Sequence, residues 1–83
     1  MVADTRSELK FMVTCLEGAT CKVYFEPEGA EVPLDSGEML TVELTGEDDG
    51  QLEISYTSGG LVIGAWKGAR TRVWDRQGRQ VPV

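Results

Sequence analysis

Carboxylates are the groups with which this chain could most readily do chemistry: it holds fourteen Asp and Glu and no histidine. Paired acids in different environments serve as general acid and base, and converging acids hold calcium. Five fall in FEPEGAEVPLDSGE, residues 25–38, with two prolines and two glycines, and GEDDG groups Glu47, Asp48 and Asp49. Adjacent residues point in different directions, and GEDDG lacks the spaced ligands of an EF-hand loop. Along residues 25–38 the acids alternate with Val32 and Leu34, as a solvated strand face requires. Ten acids spread over strands also make chance pairs unavoidable. We expect no metal site, with Glu47, Asp48 and Asp49 the nearest candidates, and no cofactor.

Nucleophilic catalysis needs a nucleophile, a base and an orienting group. Serine and cysteine are present, but no imidazole can act as the base. No Gly-rich phosphate loop of the Walker or Rossmann kind occurs. We therefore expect a protein that is not an enzyme. Two cysteines cannot complete a structural zinc site. Cys15 and Cys21 flank LEGAT, close enough for a bridge, but the expectation for a reducing cytosol is two half-buried free thiols. The opening MVADTRSELK lacks an apolar signal core, and no run approaches 18 apolar residues. A cytoplasmic protein without a membrane partner is expected.

The more informative segment is AWKGARTRVWDRQGR, residues 65–79. The formal charge of −6 hides an asymmetry: residues 23–66 carry ten acids and no Lys or Arg, while residues 67–83 carry five bases against Asp75 alone. On a strand, Arg70, Arg72 and Trp74 share one side, with Ala69, Thr71 and Val73 on the other. Arg and Trp are over-represented among interface hot spots. The candidate binding residues are thus Arg70, Arg72, Trp74 and Trp66, facing an anionic protein partner or a second copy. The competing reading makes both tryptophans core or half-core residues, with the arginines lying over them toward the acidic strands. Nucleic acid is not expected, because an acidic chain repels phosphate at long range.

Strands must position these groups. Apolar residues alternate in LKFMVTC, CKVYFE, MLTVEL and QLEISYT, and period two is the half-buried strand signature. Turn signals recur at short spacing between them. The expectation is all-β: a small antiparallel β-sandwich or partly open barrel of seven to eight short strands, with a flexible N-terminus at 1–7 and one domain over 8–83. Pro27 and Pro33 belong at strand ends or edges, so an edge strand is expected around Glu31 to Leu34. Gly29 and Gly37 suit turns that need positive φ. A hairpin after Leu44 would pair Leu44 with Leu52, Val42 with Ile54, Leu40 with Tyr56 and Glu43 with Glu53. A second, closed at Gly59-Gly60, would pair Tyr56 with Ile63 and Ile54 with Ala65. A further short turn at Lys67-Gly68 would put Arg70 and Arg72 on the apolar face, so either a bulge at Gly64 or Gly68 or an open sheet end is required.

The phrase VYFEPEG…VPLDSGEMLTVEL, roughly Val23 to Leu44, resembles a set of short uncharacterised bacterial all-β proteins. They share an apolar-Glu-Pro segment, a turn, and Gly-Glu before a hydrophobic strand; the later GAWKG is also similar. Those proteins often carry an aromatic after the proline, where this chain has Glu28. The resemblance implies a fold and no site. Gly-Glu before a strand also occurs in cupins, whose enzymes need histidine ligands that this chain lacks.

The functional expectation is a non-catalytic interaction or self-assembly module, with a homo-oligomer plausible. The alternatives are a small-molecule or glycan binder that uses Tyr24, Tyr56, Trp66 or Trp74, and a calcium-dependent binder through residues 46–50.

Overall fold

The period-two stretches become strands in the computed structural model, which describes residues 7–47 and 51–83. They are β1 (Ser7–Thr14), β2 (Cys21–Glu26), β3 (Ala30–Leu34), β4 (Met39–Gly46), β5 (Glu53–Thr57), β6 (Gly60–Gly64), β7 (Arg70–Trp74) and β8 (Gln80–Val81). They form two four-stranded sheets, β1-β4-β7-β8 and β3-β2-β6-β5. Neither closes on itself, so the architecture is the open sandwich rather than the barrel. Every pairing is antiparallel except β2 with β6, which is parallel. Of the N-terminus expected to be flexible, residues 1–6 lie outside the described residues, and Ser7 opens β1.

The core lies between the sheets. From one side come Leu40, Val42 and Leu44 of β4 and Val73 of β7; from the other come Val23 and Phe25 of β2, Val32 and Leu34 of β3, and Ile63 of β6. Each side chain of this size contributes roughly 1.5–3 kcal/mol when buried. Cys15 and Trp66 close the cluster at the sheet ends. Among the described residues no charged or polar side chain is fully buried.

The acidic stretch resolves into turns and an edge. β3 is an edge strand, where a proline is tolerated, and it holds Pro33 opposite Lys22. Gly29 and Gly37 have φ of 76° and 80°. The Asp35–Glu38 turn is closed by Glu38 N–H donating to Asp35 O at 3.0 Å, and Glu38 Oε1 accepts from Asp35 N–H at 2.7 Å. Ser36 Oγ accepts from Gly18 N–H at 2.7 Å, which ties that turn to the β1–β2 link.

Four expectations need correction. β4 does not form a hairpin with β5: the chain crosses to the other sheet, so Leu44 faces Leu9 and Thr71, and Glu43 faces Lys10 and Arg72 rather than Glu53. The β5–β6 hairpin exists but is two residues tighter, with Tyr56 opposite Leu61 and Ile54 opposite Ile63. Its loop is Ser58-Gly59, held by Thr57 Oγ1, which accepts from Gly59 and Gly60 N–H at 3.1 Å each. β7 pairs with β4 and not β6, so Arg70 and Arg72 reach the outside with no bulge and no break in register. The cysteines are also not free: Cys15 and Cys21 are bridged, with Cα atoms 5.9 Å apart. β1 ends and β2 begins at the same end of the sandwich, which brings the two together across the link between the sheets.

Gly60 marks the closest backbone approach. It sits at φ 151°, and a Cβ there would collide with the Lys22 carbonyl of the neighbouring strand. Only glycine lets β6 start beside β2.

Candidate functional site: the outer face of the first sheet

Residues opposite one another across a ladder share a face, so the registers lay this surface out in rows. Glu8, Thr45 and Arg70 form one row and Lys10, Glu43 and Arg72 the next. Met12, Thr41 and Trp74 form the third, extended by Gln80 on β8. The core-facing alternates Phe11, Val42, Leu44 and Val73 hold the backbone of these strands against the second sheet. The face carries Lys10, Arg70 and Arg72 against Glu8 and Glu43.

Arg70 and Arg72 are exposed, Trp74 is half-buried, and Met12 is 65% exposed. None of Lys10, Arg70 and Arg72 joins either ion pair found among the described residues, which are Lys22 with Glu31 at 3.1 Å and Arg79 with Asp75 at 3.5 Å. Around the arginines, Glu8, Glu43, Thr45 and Glu47 line an open groove of about 620 Å³. The result is a surface on which three cations, unpaired among the described residues, lie beside Met12 and Trp74. Such a surface can accept carboxylates while covering Met12 and the Trp74 ring.

The second sheet is more acidic on its outer face. Its outer face carries Glu26, Glu31 and Glu53 against Lys22. Glu31 holds the Lys22 ammonium above lysine's usual 10.5, by its hydrogen bond first and its charge second. Part of the acidic block, Glu26, Glu31 and Glu53, thus lies on the face opposite Arg70 and Arg72, while Glu43 and Glu47 stand beside those arginines.

Trp66 stands apart from Arg70, Arg72 and Trp74. It is buried, and its Nε1–H donates to Glu47 O at 2.8 Å. Glu47 is exposed at the end of β4, whereas Asp48 and Asp49 lie outside the described residues. Among the described residues no three carboxylate or thiol groups converge on one point. Lys10 and Met12 were not singled out in the sequence. Alternation puts them opposite Leu9, Phe11 and Val13, but only the β1–β4–β7 order brings them beside Arg72 and Trp74.

A separate cleft of about 370 Å³ opens at one end of the sandwich, lined by Val13, Thr14, Lys22, Tyr56 and Leu61 among others. Tyr56 is 87% exposed there. Among the described residues no helix is long and apolar enough to cross a membrane. Comparison with protein-family models, with curated proteins and with solved structures finds no match to this chain.

Proposed function

We propose that this chain is a non-catalytic interaction module whose binding surface is the outer face of the first sheet. Arg70, Arg72 and Lys10 would meet the carboxylates of a protein partner, and Trp74 with Met12 would supply the apolar contact. One observation carries the reading: two exposed arginines, unpaired among the described residues, sit in register beside a half-buried tryptophan. Arg and Trp contacts of this kind dominate binding energy where they are desolvated. Titration with polyglutamate, followed by NMR, tests it. Shifts should concentrate on Lys10, Met12, Arg70, Arg72 and Trp74 and vanish at about 0.5 M salt, where screening shortens the reach of exposed charges to a few ångströms. Shifts scattered over both sheets would count against it.

A second reading rests on Tyr56. Its exposed ring at the mouth of the end cleft, beside the Thr14 and Thr57 hydroxyls, suits a sugar or another flat ligand. Quenching or shift of tyrosine fluorescence across a glycan panel would support it. The calcium reading has Glu47 alone among the described residues, and its test is the melting temperature with calcium or chelator, since a ligand that binds the native state raises stability.

The cytoplasmic location expected from the sequence meets a bridge that a reducing cytosol does not maintain. A cytoplasmic chain would carry Cys15 and Cys21 as thiols in the cell, and acid-quenched alkylation would label both. A bridge that survives the quench would place the chain in an oxidising compartment.

A further inference from the structure

An exposed sheet edge is a template for another strand, and proteins guard such edges with prolines, charges or short length. Among the described strands, β3 carries Pro33 and Glu31, β8 is two residues long, and β1 carries Glu8 and Lys10 in its first half. β5 has a charge only at its start, Glu53, and its Ile54 to Thr57 stretch has no charge and no proline.

β5 also leaves apolar surface uncovered. Ile54 and Tyr56 lie opposite Ile63 and Leu61, on the core-facing side of the second sheet. Ile63 is buried, yet Ile54 is 50% and Tyr56 87% exposed. The first sheet therefore stops short of β5, and the core face of this edge ends open.

We propose that β5 joins a second copy of this chain, antiparallel about Ser55, into one continuous eight-stranded sheet. The occupant follows from the strand's own pattern. With Ser55 opposite its symmetry mate, Ile54 faces Tyr56 of the second copy, and Glu53 faces Thr57. All five residues pair, no like charges meet, and two aromatic–β-branched pairs form on the side where both residues are exposed. A shift of two residues in either direction leaves only three residues paired. A shift of one turns the apolar side chains to the wrong face. The uncovered strip beyond the first sheet gives the second copy room to approach.

In such a pair the two-fold axis runs perpendicular to the joined sheet, so both first sheets lie on the same side. The two outer faces with Arg70 and Arg72 then point the same way. The pair is bivalent toward an acidic partner, and a second binding event within one complex gains from effective concentration. The join itself is apolar and backbone-mediated and stands independently of what the arginines bind.

The test is solution mass by light scattering after size exclusion, at rising concentration, in low salt and in about 0.5 M salt, where surface charge is screened. The wild type should move from the 9.1 kDa of one chain toward twice that mass, equally at both salts. The double variant Ile54→Lys with Tyr56→Lys sets lysine against lysine and should keep the mass of one chain throughout. A Ser55→Cys variant should cross-link to a dimer on a non-reducing gel after mild oxidation, since directly opposite strand residues lie within disulfide reach. Thr57→Cys, which faces Glu53, should not. A wild type that stays monomeric at every concentration would overturn the proposal and leave the edge to another protein's strand or a small ligand. A dimer that persists in the lysine variant, or dissolves in salt, would overturn it as well. If the lysine variant loses its strand signal in circular dichroism, the Ser55→Cys gel decides: a dimer band supports the join and its absence refutes it.

Discussion

At the residue scale, three side chains show how local chemistry sets the stability of the sandwich. Thr71 faces the core from β7, and its Oγ1 is buried without a hydrogen-bond partner among the described residues. Removing an unpaired hydroxyl in favour of a methyl relieves a desolvation cost of about 1–3 kcal/mol. Thr71→Val should therefore raise the melting temperature, and an unchanged or lower value would mean the hydroxyl has a partner in solution. Asp75 is the reverse case. Its Oδ1 accepts from Gln77 and Arg79 N–H at 2.9 Å each, closing the β7–β8 turn. Asp75→Ala should cost about 1–2 kcal/mol in urea unfolding, one ordinary net contribution for each lost bond. Lys22 supplies a pH dependence. Its raised pKa means that the pair with Glu31 favours the folded state below lysine's ordinary 10.5. That contribution is lost as pH rises through the elevated value, and it is small because both groups are exposed. Lys22→Gln should lower the melting temperature slightly at neutral pH and leave it unchanged in strong alkali.

At the scale of elements, β6 depends on a single glycine. Gly60→Ala drives a Cβ into the Lys22 carbonyl and should destabilise by several kcal/mol, because backbone must move. Loss of the Cys15–Cys21 bridge, which spans a sequence separation of six, should cost about 2 kcal/mol by the loop-closure estimate; a reduced and a bridged sample compared in urea would show it. The strands themselves were legible, because period two survives wherever one face is buried. Alternation in MLTVEL gives Leu40, Val42 and Leu44, all buried, and Pro33 marks the edge. Alternation says which face of a strand is apolar but not which sheet the strand joins. The link after β4 could either turn back or cross, and burial in a sandwich rewards both. It crosses, and with it go the expected pairing of Glu43 with Glu53 and the apparent conflict at Arg70 and Arg72. Arg70, Arg72 and Trp74 were legible as one side of a strand. Their neighbours Lys10 and Met12 were not, since β1 and β7 are held together only by β4 between them.

At the scale of the whole molecule, the two outer faces differ in charge. A net −6 coexists with an outer face on the first sheet where Lys10, Arg70 and Arg72 balance Glu8, Glu43 and Glu47, while the second sheet turns Glu26, Glu31 and Glu53 outward against Lys22 alone. Such a particle orients in a field of the opposite sign, and its contacts weaken with salt. The most direct measurement is retention on a carboxylate-bearing cation exchanger at pH 7 and low salt, with wild type beside Arg70→Ser/Arg72→Ser. The net charge alone would send both straight through. If the outer face of the first sheet binds carboxylates, the wild type is held back and released by salt, and the double variant flows through. Equal passage of the two proteins would contradict the account.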